Sequence, residues 1–211
     1  MRNLVNEGRA VVRNATSAYR GQMSVEPPVS RYVALLRGIN VGGNNLIKMV
    51  ALKACFEKHG FENVTTFIQS GNVVFDAAAG RQADLVLQIE ELLGATFNYA
   101  ASVVLRSHKQ LRDIVERAPA GFGKQPAKYR YDVIFLKEPL KASVALESVL
   151  TREGVDEAHA GTGVLYFSRL TSRASQSRLS QIVSSPIYKR LTIRNWNTTT
   201  KLLHMMAAAA T

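Results

Sequence analysis

The hydrophobic pattern of this chain switches between strand and helix periodicity in an order that occurs twice. The first set is predicted, in chain order, as strand 31–36, helix 48–59, strands 64–69 and 72–75, helix 84–93 and strand 101–105. The second set is predicted as strand 131–136, helix 141–150, strands 155–160 and 163–167, helix 177–184 and strand 191–194. Glycine-containing turns at Ser70-Gly71 and Gly161-Thr162 join the paired strands in each set.

A β-α-β-β-α-β order is the ferredoxin-like arrangement. The sequence therefore predicts an α+β fold made by tandem duplication of two ferredoxin-like modules, with additional helices at 107–117 and about 198–206. The expected divisions are a non-core N-terminal extension or linker at 1–30, a first module at 31–106, a second module at 107–206 and a low-complexity tail at 207–211.

The first thirty residues differ in composition from the rest. Four arginines stand against one glutamate between residues 1 and 22, which is typical of an organelle transit peptide. The same composition fits an upstream start codon, with Met23 as the true initiator. The Pro27-Pro28 pair disfavours regular structure and indicates a linker.

Basic residues are concentrated in the second half of the chain. The whole sequence has 27 Lys and Arg against 16 Asp and Glu, a net charge of +11. Residues 31–98 hold six of each sign, whereas residues 99–211 hold 17 basic and 8 acidic residues, and the last acid is Glu157. Such a stretch favours anionic partners, although solvated surface charge is the alternative.

Three polar loops contain the candidate binding residues. The first, residues 37–45, joins a predicted strand to a helix, and its glycines could let backbone N–H groups converge on an anion. It lacks the lysine of a Walker A motif, so a tight turn with Asn45 as helix cap is the alternative. The second loop, residues 173–178, could clamp an oxyanion through Arg178.

The third loop, residues 192–201, carries several hydrogen-bond donors and Trp196, the only tryptophan. A base or sugar could stack on this indole, although a single tryptophan is more often a core residue. Asn197 or Thr198 is expected to cap the last helix.

Four segments of the chain resemble one family. They are Leu36 to Gly43 (LRGINVGG), Lys48-Met49, Gln69 to Phe75 (QSGNVVF), and Thr192 to Thr198 with Lys201-Leu202. In this order they are similar to the signatures of the bacterial domain-of-unknown-function 1697 family, over about residues 31–206. The resemblance implies tandem ferredoxin-like modules and no assigned reaction. The chain departs from the family at Gln176 to Leu179, where an arginine before Ser177 is missing.

Residues suited to catalysis or metal binding are few. The four histidines lack metal-ligand spacing, the single cysteine, Cys55, excludes an internal disulfide, and we expect no metal site. No apolar run approaches the ~20 residues of a membrane-spanning helix, so we expect a cytoplasmic protein without a membrane partner. No cofactor can be assigned.

We therefore predict a pocket that binds a small anionic ligand bearing phosphate or carboxylate, a nucleotide being one candidate. The predicted ligand-binding residues are Arg37, Gly38, Asn40, Gly42, Gly43, Lys48, Ser70, Asn72, Ser177, Arg178, Arg194, Asn195, Trp196, Asn197 and Lys201. One alternative is an RNA- or DNA-binding module that stacks bases on Tyr131, Phe135, Tyr166 and Phe167. The other is an enzyme acting on an anionic small molecule, for which no nucleophile or base is evident.

Overall fold

The first predicted set of strands and helices forms one sheet with two helices. The computed structural model describes residues 28–40 and 46–208. The elements of the first set are β1 (Val29–Leu36), α1 (Met49–Lys58), β2 (Glu62–Phe67), β3 (Asn72–Ala78), α2 (Gln82–Phe97) and β4 (Val103–Ser107). The proposed transit peptide or alternative start, the glycines at 42 and 43, and the cap at Asn45 lie outside the described residues.

The second set forms another sheet with one α-helix, and an additional helix follows it. Its elements, which follow α3 (His108–Glu116), are β5 (Tyr129–Leu136), α4 (Ala142–Glu147), β6 (Asp156–Gly161), β7 (Val164–Leu170), β8 (Leu191–Asn195) and α5 (Trp196–Ala208). Three short 3₁₀-helices lie between β7 and β8, at Thr171–Gln176, Leu179–Ser184 and Tyr188–Arg190.

The prediction of one helix over 177–184 is wrong. Side-chain oxygens bind backbone amides in this segment: Asp156 Oδ2 accepts from Arg178 N at 2.8 Å, and Ser177 Oγ accepts from Leu179 N at 3.2 Å. Serine and aspartate side chains that bind nearby amides compete with the helical hydrogen bonds, so only short 3₁₀ turns form.

The predicted cap of the last helix is also wrong. The side chain of Asn195, rather than Asn197 or Thr198, accepts from Thr198 N at 2.7 Å. This bond satisfies one of the free amides at the helix start. The helix therefore begins at Trp196.

Both sheets have the same strand arrangement. Their orders are β2-β3-β1-β4 and β6-β7-β5-β8, and every neighbouring pair is antiparallel. β1 pairs β4 from Tyr32 opposite Ser107, and β5 pairs β8 from Asp132 opposite Asn195. Tyr32 and Asp132 thus occupy equivalent positions in the two sheets.

Three apolar clusters cover the faces of the sheets. The first cluster joins the first sheet to α1 and α2 through residues such as Phe56, Phe75 and Leu93. The second lies between the two sheets and includes side chains of α3 and α5, among them Leu111 and Met206. The third joins the second sheet to α4 and the 3₁₀ segment. Each sheet is therefore covered on both faces.

This covering contradicts the exposed aromatic platform considered for nucleic-acid binding. Phe135 and Phe167 are fully buried and Tyr166 is 2% exposed, so these rings cannot stack on a base. Of the four candidates, Tyr131 alone is partly exposed.

Within residues 28–40 and 46–208, none of the helices combines the length and apolar character that crossing a bilayer requires.

Candidate functional site

Arg194, on β8, is the most deeply buried of the charged residues in the predicted site. Its side chain crosses to the first sheet, where Nε donates to Asn72 Oδ1 at 2.6 Å and Nη2 donates to the carbonyl of Leu36 at 2.8 Å and of Gly71 at 3.2 Å. Nη1 donates to Thr192 Oγ1 at 2.8 Å. Burial lowers the pKa of Arg194 to about 10, so it is a cation at neutral pH. Its donors are thus used within the protein.

Arg106, on β4, makes the reciprocal contact. Its Nη2 donates to the carbonyls of Leu136 and Gly163, both at 2.7 Å, which are the counterparts in the second sheet of Leu36 and Gly71. Burial lowers the pKa of Arg106 to about 10 as well. The two arginines therefore connect the sheets by matching hydrogen bonds. Sequence reasoning missed Arg106, although a basic residue ending an apolar strand was the available signal.

The first loop meets the β2–β3 turn beside the last 3₁₀-helix. Arg37 Nε donates to the carbonyl of Tyr188 at 3.2 Å, and its guanidinium lies over the Tyr188 ring, 4.5 Å from the centroid. Asn40, with φ at 53°, donates to the carbonyl of Gln69 at 2.9 Å and accepts from Ile47 N at 2.8 Å. These bonds fix the path of the chain into α1.

Other predicted residues of this region lie close by. Gly38 is exposed with φ at 70°, and Lys48 is exposed at the start of α1. Asn72 Nδ2 donates to the carbonyl of Phe67 at 2.8 Å and to Ser70 Oγ at 3.3 Å. The first loop, the turn and Arg194 are thus brought together at the Leu36 end of β1.

The second loop lies elsewhere. The backbone N–H of Arg178 donates to Asp156, the first residue of β6, and Ser177 Oγ accepts from the next amide, Leu179 N. β6 and β8 are opposite edges of the second sheet, with β7 and β5 between them. Neighbouring strands lie about 4.8 Å apart, so roughly 14 Å separates this loop from the third loop across the sheet.

The third loop lines a cleft of about 340 Å³ at the end of β8. The cleft lies at the Asn195 end of β8, whereas Tyr188, which contacts Arg37, lies just before the Leu191 end. A strand of this length spans roughly 13 Å, so about that distance separates the cleft from the Arg37 region. Lys201 is exposed on α5, one turn beyond Asn197. The residues lining the cleft are Pro126, Tyr129, Arg130, Tyr131, Asp132, Arg169, Asn195, Trp196 and Asn197.

Trp196 is half-buried and divides its surface between the core and the cleft. Its indole packs edge-on against Phe122, with ring centroids 5.1 Å apart at 90°. Gly123 lies so close that a Cβ there would be 2.2 Å from the indole Nε1. The indole is thus held in one orientation at the cleft wall.

Asp132 is a buried carboxylate of this cleft that sequence reasoning missed. It is 8% exposed, and its Oδ2 lies 3.1 Å from Arg169 Nη2. The contact is an ion pair without hydrogen-bond alignment, because neither Asp132 Oδ2 nor Arg169 Nε has a hydrogen-bond partner among the described residues. Desolvation raises the pKa of Asp132, opposed by the charges of Arg169 and Arg130.

Metal ligation has no candidate in the described part of the chain, where three or more His, Cys, Asp or Glu side chains nowhere group together. Cys55 lies on the apolar face of α1 and is buried.

A family model described as "Protein of unknown function (DUF1697)" matches residues 29–166. The chain belongs to this family. The resemblance seen in the sequence is thereby confirmed, and the matched range of the DUF1697 protein ends before the third loop. Its fold is similar to that of the conserved bacterial protein SP0830 from Streptococcus pneumoniae, with a TM-score of 0.73 and 27% identity over 85% of this chain and 99% of that one. The comparison with curated proteins finds no significant match.

Proposed function

We propose that this DUF1697 protein binds a nucleotide-like ligand, one that combines an aromatic ring with an anionic group, in the cleft beside Trp196. The single observation that carries the proposal is the composition of this cleft, which joins aromatic side chains to two arginines and a buried carboxylate. Its volume of about 340 Å³ falls within the ~300–1,000 Å³ of small-molecule sites.

The aromatic lining supports binding of a planar ring. Trp196 is held by Phe122 and Gly123, and Tyr129 and Tyr131 lie on the neighbouring strand β5. Stacking of a base on an aromatic side chain contributes about 1–3 kcal/mol. A preoriented indole adds to this, because little side-chain freedom is lost on binding.

Charge at the cleft supports an anionic group on the ligand. Arg130 is exposed at the rim and Arg169 is partly buried, against one acid, Asp132. Asn197 and Lys201 follow on the exposed side of α5. A phosphate at the rim can accept charge-assisted hydrogen bonds from Arg130. We assign Arg194 instead to the connection between the sheets.

The proposed architecture is the tandem pair of ferredoxin-like modules, divided near residue 106. The identical strand orders of the two sheets support it, and so do the reciprocal bonds of Arg106 and Arg194. The second module departs from the pattern where 3₁₀-helices replace its second helix.

Isothermal titration calorimetry with nucleoside monophosphates, ribose phosphate and a short RNA tests the proposal. We expect saturable binding of at least one nucleoside monophosphate, weakened about tenfold in Arg130→Ala. Arg81→Ala is the matched control, since this arginine is also exposed and lies at the start of α2, and it should bind like wild type. Absence of binding by every monophosphate, or equal affinity in Arg130→Ala, would overturn the proposal. Binding of RNA alone would favour the nucleic-acid alternative.

A further inference from the structure

Arg106 and Arg194 occupy equivalent positions on β4 and β8, but they differ in how many of their donors are used. All three side-chain nitrogens of Arg194 donate, and these bonds include Nε to Asn72 Oδ1 at 2.6 Å and Nη1 to Thr192 Oγ1 at 2.8 Å. In Arg106, Nη1 and Nη2 donate to backbone carbonyls, whereas Nε has no acceptor among the described residues. Arg106 is therefore the incomplete member of the pair.

One difference between the two sheets explains the unused donor. Asn72 is the first residue of β3, and the residue at the equivalent place of β7 is Val164. A valine side chain has no acceptor, so the second sheet does not offer Arg106 the bond that the first sheet offers Arg194. Hydrogen bonds from a charged donor are the strong ones, so an acceptor from outside the chain gains by binding here.

The side chain of Arg106 is not sealed within the protein. It is 6% exposed, and the enclosed atoms without a partner in the described part of the chain include Arg31 Nε and Arg169 Nε but not Arg106 Nε. Two adjoining clefts, of about 230 Å³ and about 250 Å³, are both lined by Arg106 and Glu138. Burial lowers the pKa of Arg106, and the charge of Glu138 opposes this effect.

The smaller of these clefts is mostly apolar and follows the outer edge of β4. Its apolar lining comes from α2 and β4 and includes Val86, Leu87, Val103, Val104 and Leu105. Lys137 and Glu90, which also line it, form an ion pair with each other. Arg106 follows the apolar residues of β4 directly, so a chain lying along this edge reaches the guanidinium at its end.

A peptide strand is poorly suited to this edge, because polar groups of β4 already have partners there. The amide of Val103 donates to Glu90 Oε1 at 2.7 Å. The carbonyl of Leu105 accepts from Arg106 Nη1 at 2.7 Å. Addition of a strand depends on free main-chain donors and acceptors. The cleft therefore suits a molecule that needs no backbone hydrogen bonds.

We infer that Arg106 anchors a second ligand site, which takes a monocarboxylate with an unbranched apolar tail. The carboxylate accepts from Arg106, and the tail lies in the apolar cleft along β4. A single negative charge suits the site better than a doubly charged phosphate, because Glu138 repels anions there. Leu136, whose carbonyl binds Arg106, is four residues from Asp132 on β5, so about 13 Å separates this site from the cleft beside Trp196. The inference is thus independent of the proposed nucleotide site.

Calorimetric titration of butanoate, hexanoate and octanoate into the full chain tests the inference. Affinity should rise about two- to fourfold for each added methylene, because each one buries further apolar surface in the cleft. Octanol has the tail of octanoate without its charge. It should bind at least about tenfold more weakly than octanoate, because it cannot form a charge-assisted bond with the guanidinium.

Two variants test the part played by Arg106. Val164→Asn copies Asn72 of the first sheet and supplies the acceptor that Arg106 Nε lacks, so it should weaken octanoate binding about tenfold. Val164→Ala, which supplies no acceptor, should keep the wild-type affinity. Glu138→Gln should tighten octanoate binding about two- to fivefold by removing repulsion, and it should leave octanol binding unchanged. Glu147→Gln, which alters an exposed carboxylate at the end of α4, should affect neither ligand.

Equal affinities for the three carboxylates, or for octanoate and octanol, would overturn the inference. So would a Val164→Asn variant that is folded by circular dichroism and binds octanoate as tightly as Val164→Ala does. If Val164→Asn does not fold, an unchanged octanoate affinity in Glu138→Gln decides against the inference. Each of these outcomes leaves the proposed nucleotide site intact.

Discussion

Replacement of Arg194 by methionine should destabilise the protein strongly, because this side chain joins the two sheets. Methionine retains most of the aliphatic length but removes all five donors. Asn72 Oδ1 and the carbonyls of Leu36 and Gly71 would then lose the donor that Arg194 supplies. Asn72 is fully buried and Leu36 is 1% exposed, so water cannot replace the arginine there.

The expected loss follows from these acceptors. The Gly71 carbonyl keeps its bond from Leu36 N, at 2.8 Å, but each buried acceptor that is left without a partner costs about 1–3 kcal/mol. Replacing the buried guanidinium also removes its desolvation cost, which offsets part of this loss. We therefore expect Arg194→Met to lower the free energy of unfolding by about 3–5 kcal/mol. This is a large share of the ~5–15 kcal/mol that stabilises a typical domain.

Urea denaturation followed by circular dichroism measures this loss from the shift of the unfolding midpoint. Arg190→Met is the matched control, because Arg190 lies four residues before Arg194 and is exposed. This variant should change the free energy of unfolding by less than about 0.5 kcal/mol. A loss below about 1 kcal/mol in Arg194→Met would refute the role assigned to this arginine.

Two further predictions concern the cleft. Gly123→Ala should lower the melting temperature and weaken ligand binding, because φ is 79° there and the added Cβ would lie 2.2 Å from Trp196 Nε1; an unchanged melting temperature would contradict the packing described. For Asp132, burial raises the pKa above 3.8, so the native state holds its proton to higher pH than the unfolded state does, and this residue lowers stability as pH rises through that window. Urea denaturation between pH 3 and pH 7 should therefore show wild type losing stability relative to Asp132→Asn, and a constant difference would contradict the raised pKa.

The strands and most helices could be predicted from the sequence because their apolar periodicity is local information. β1, β3 and β7 begin within three residues of their predicted starts. The segment 177–184 could not be predicted, since the aspartate that binds the amide of Arg178 lies 22 residues earlier on another strand. Helix propensity depends on neighbouring residues, so it does not account for a distant side chain that competes for a backbone amide.

The binding residues were harder to predict for the same reason. Arg194 stands among asparagines and threonines, a composition typical of a binding loop, yet its acceptor Asn72 is 122 residues away. Asp132 was not singled out from the sequence, since a single acid at the start of an apolar strand resembles a solvent-exposed strand end. Its burial depends on Arg169 and on the point where β8 ends.

Fluorescence of Trp196 tests the central claim most directly, because it is the only tryptophan and lines the proposed cleft. Titration with the nucleoside monophosphate that calorimetry shows to bind should change its emission saturably, with the affinity that calorimetry gives. Arg130→Ala should shift the curve to higher concentration, and Arg81→Ala should leave it unchanged. Binding detected by calorimetry with no change in Trp196 emission would place the ligand elsewhere and contradict the account.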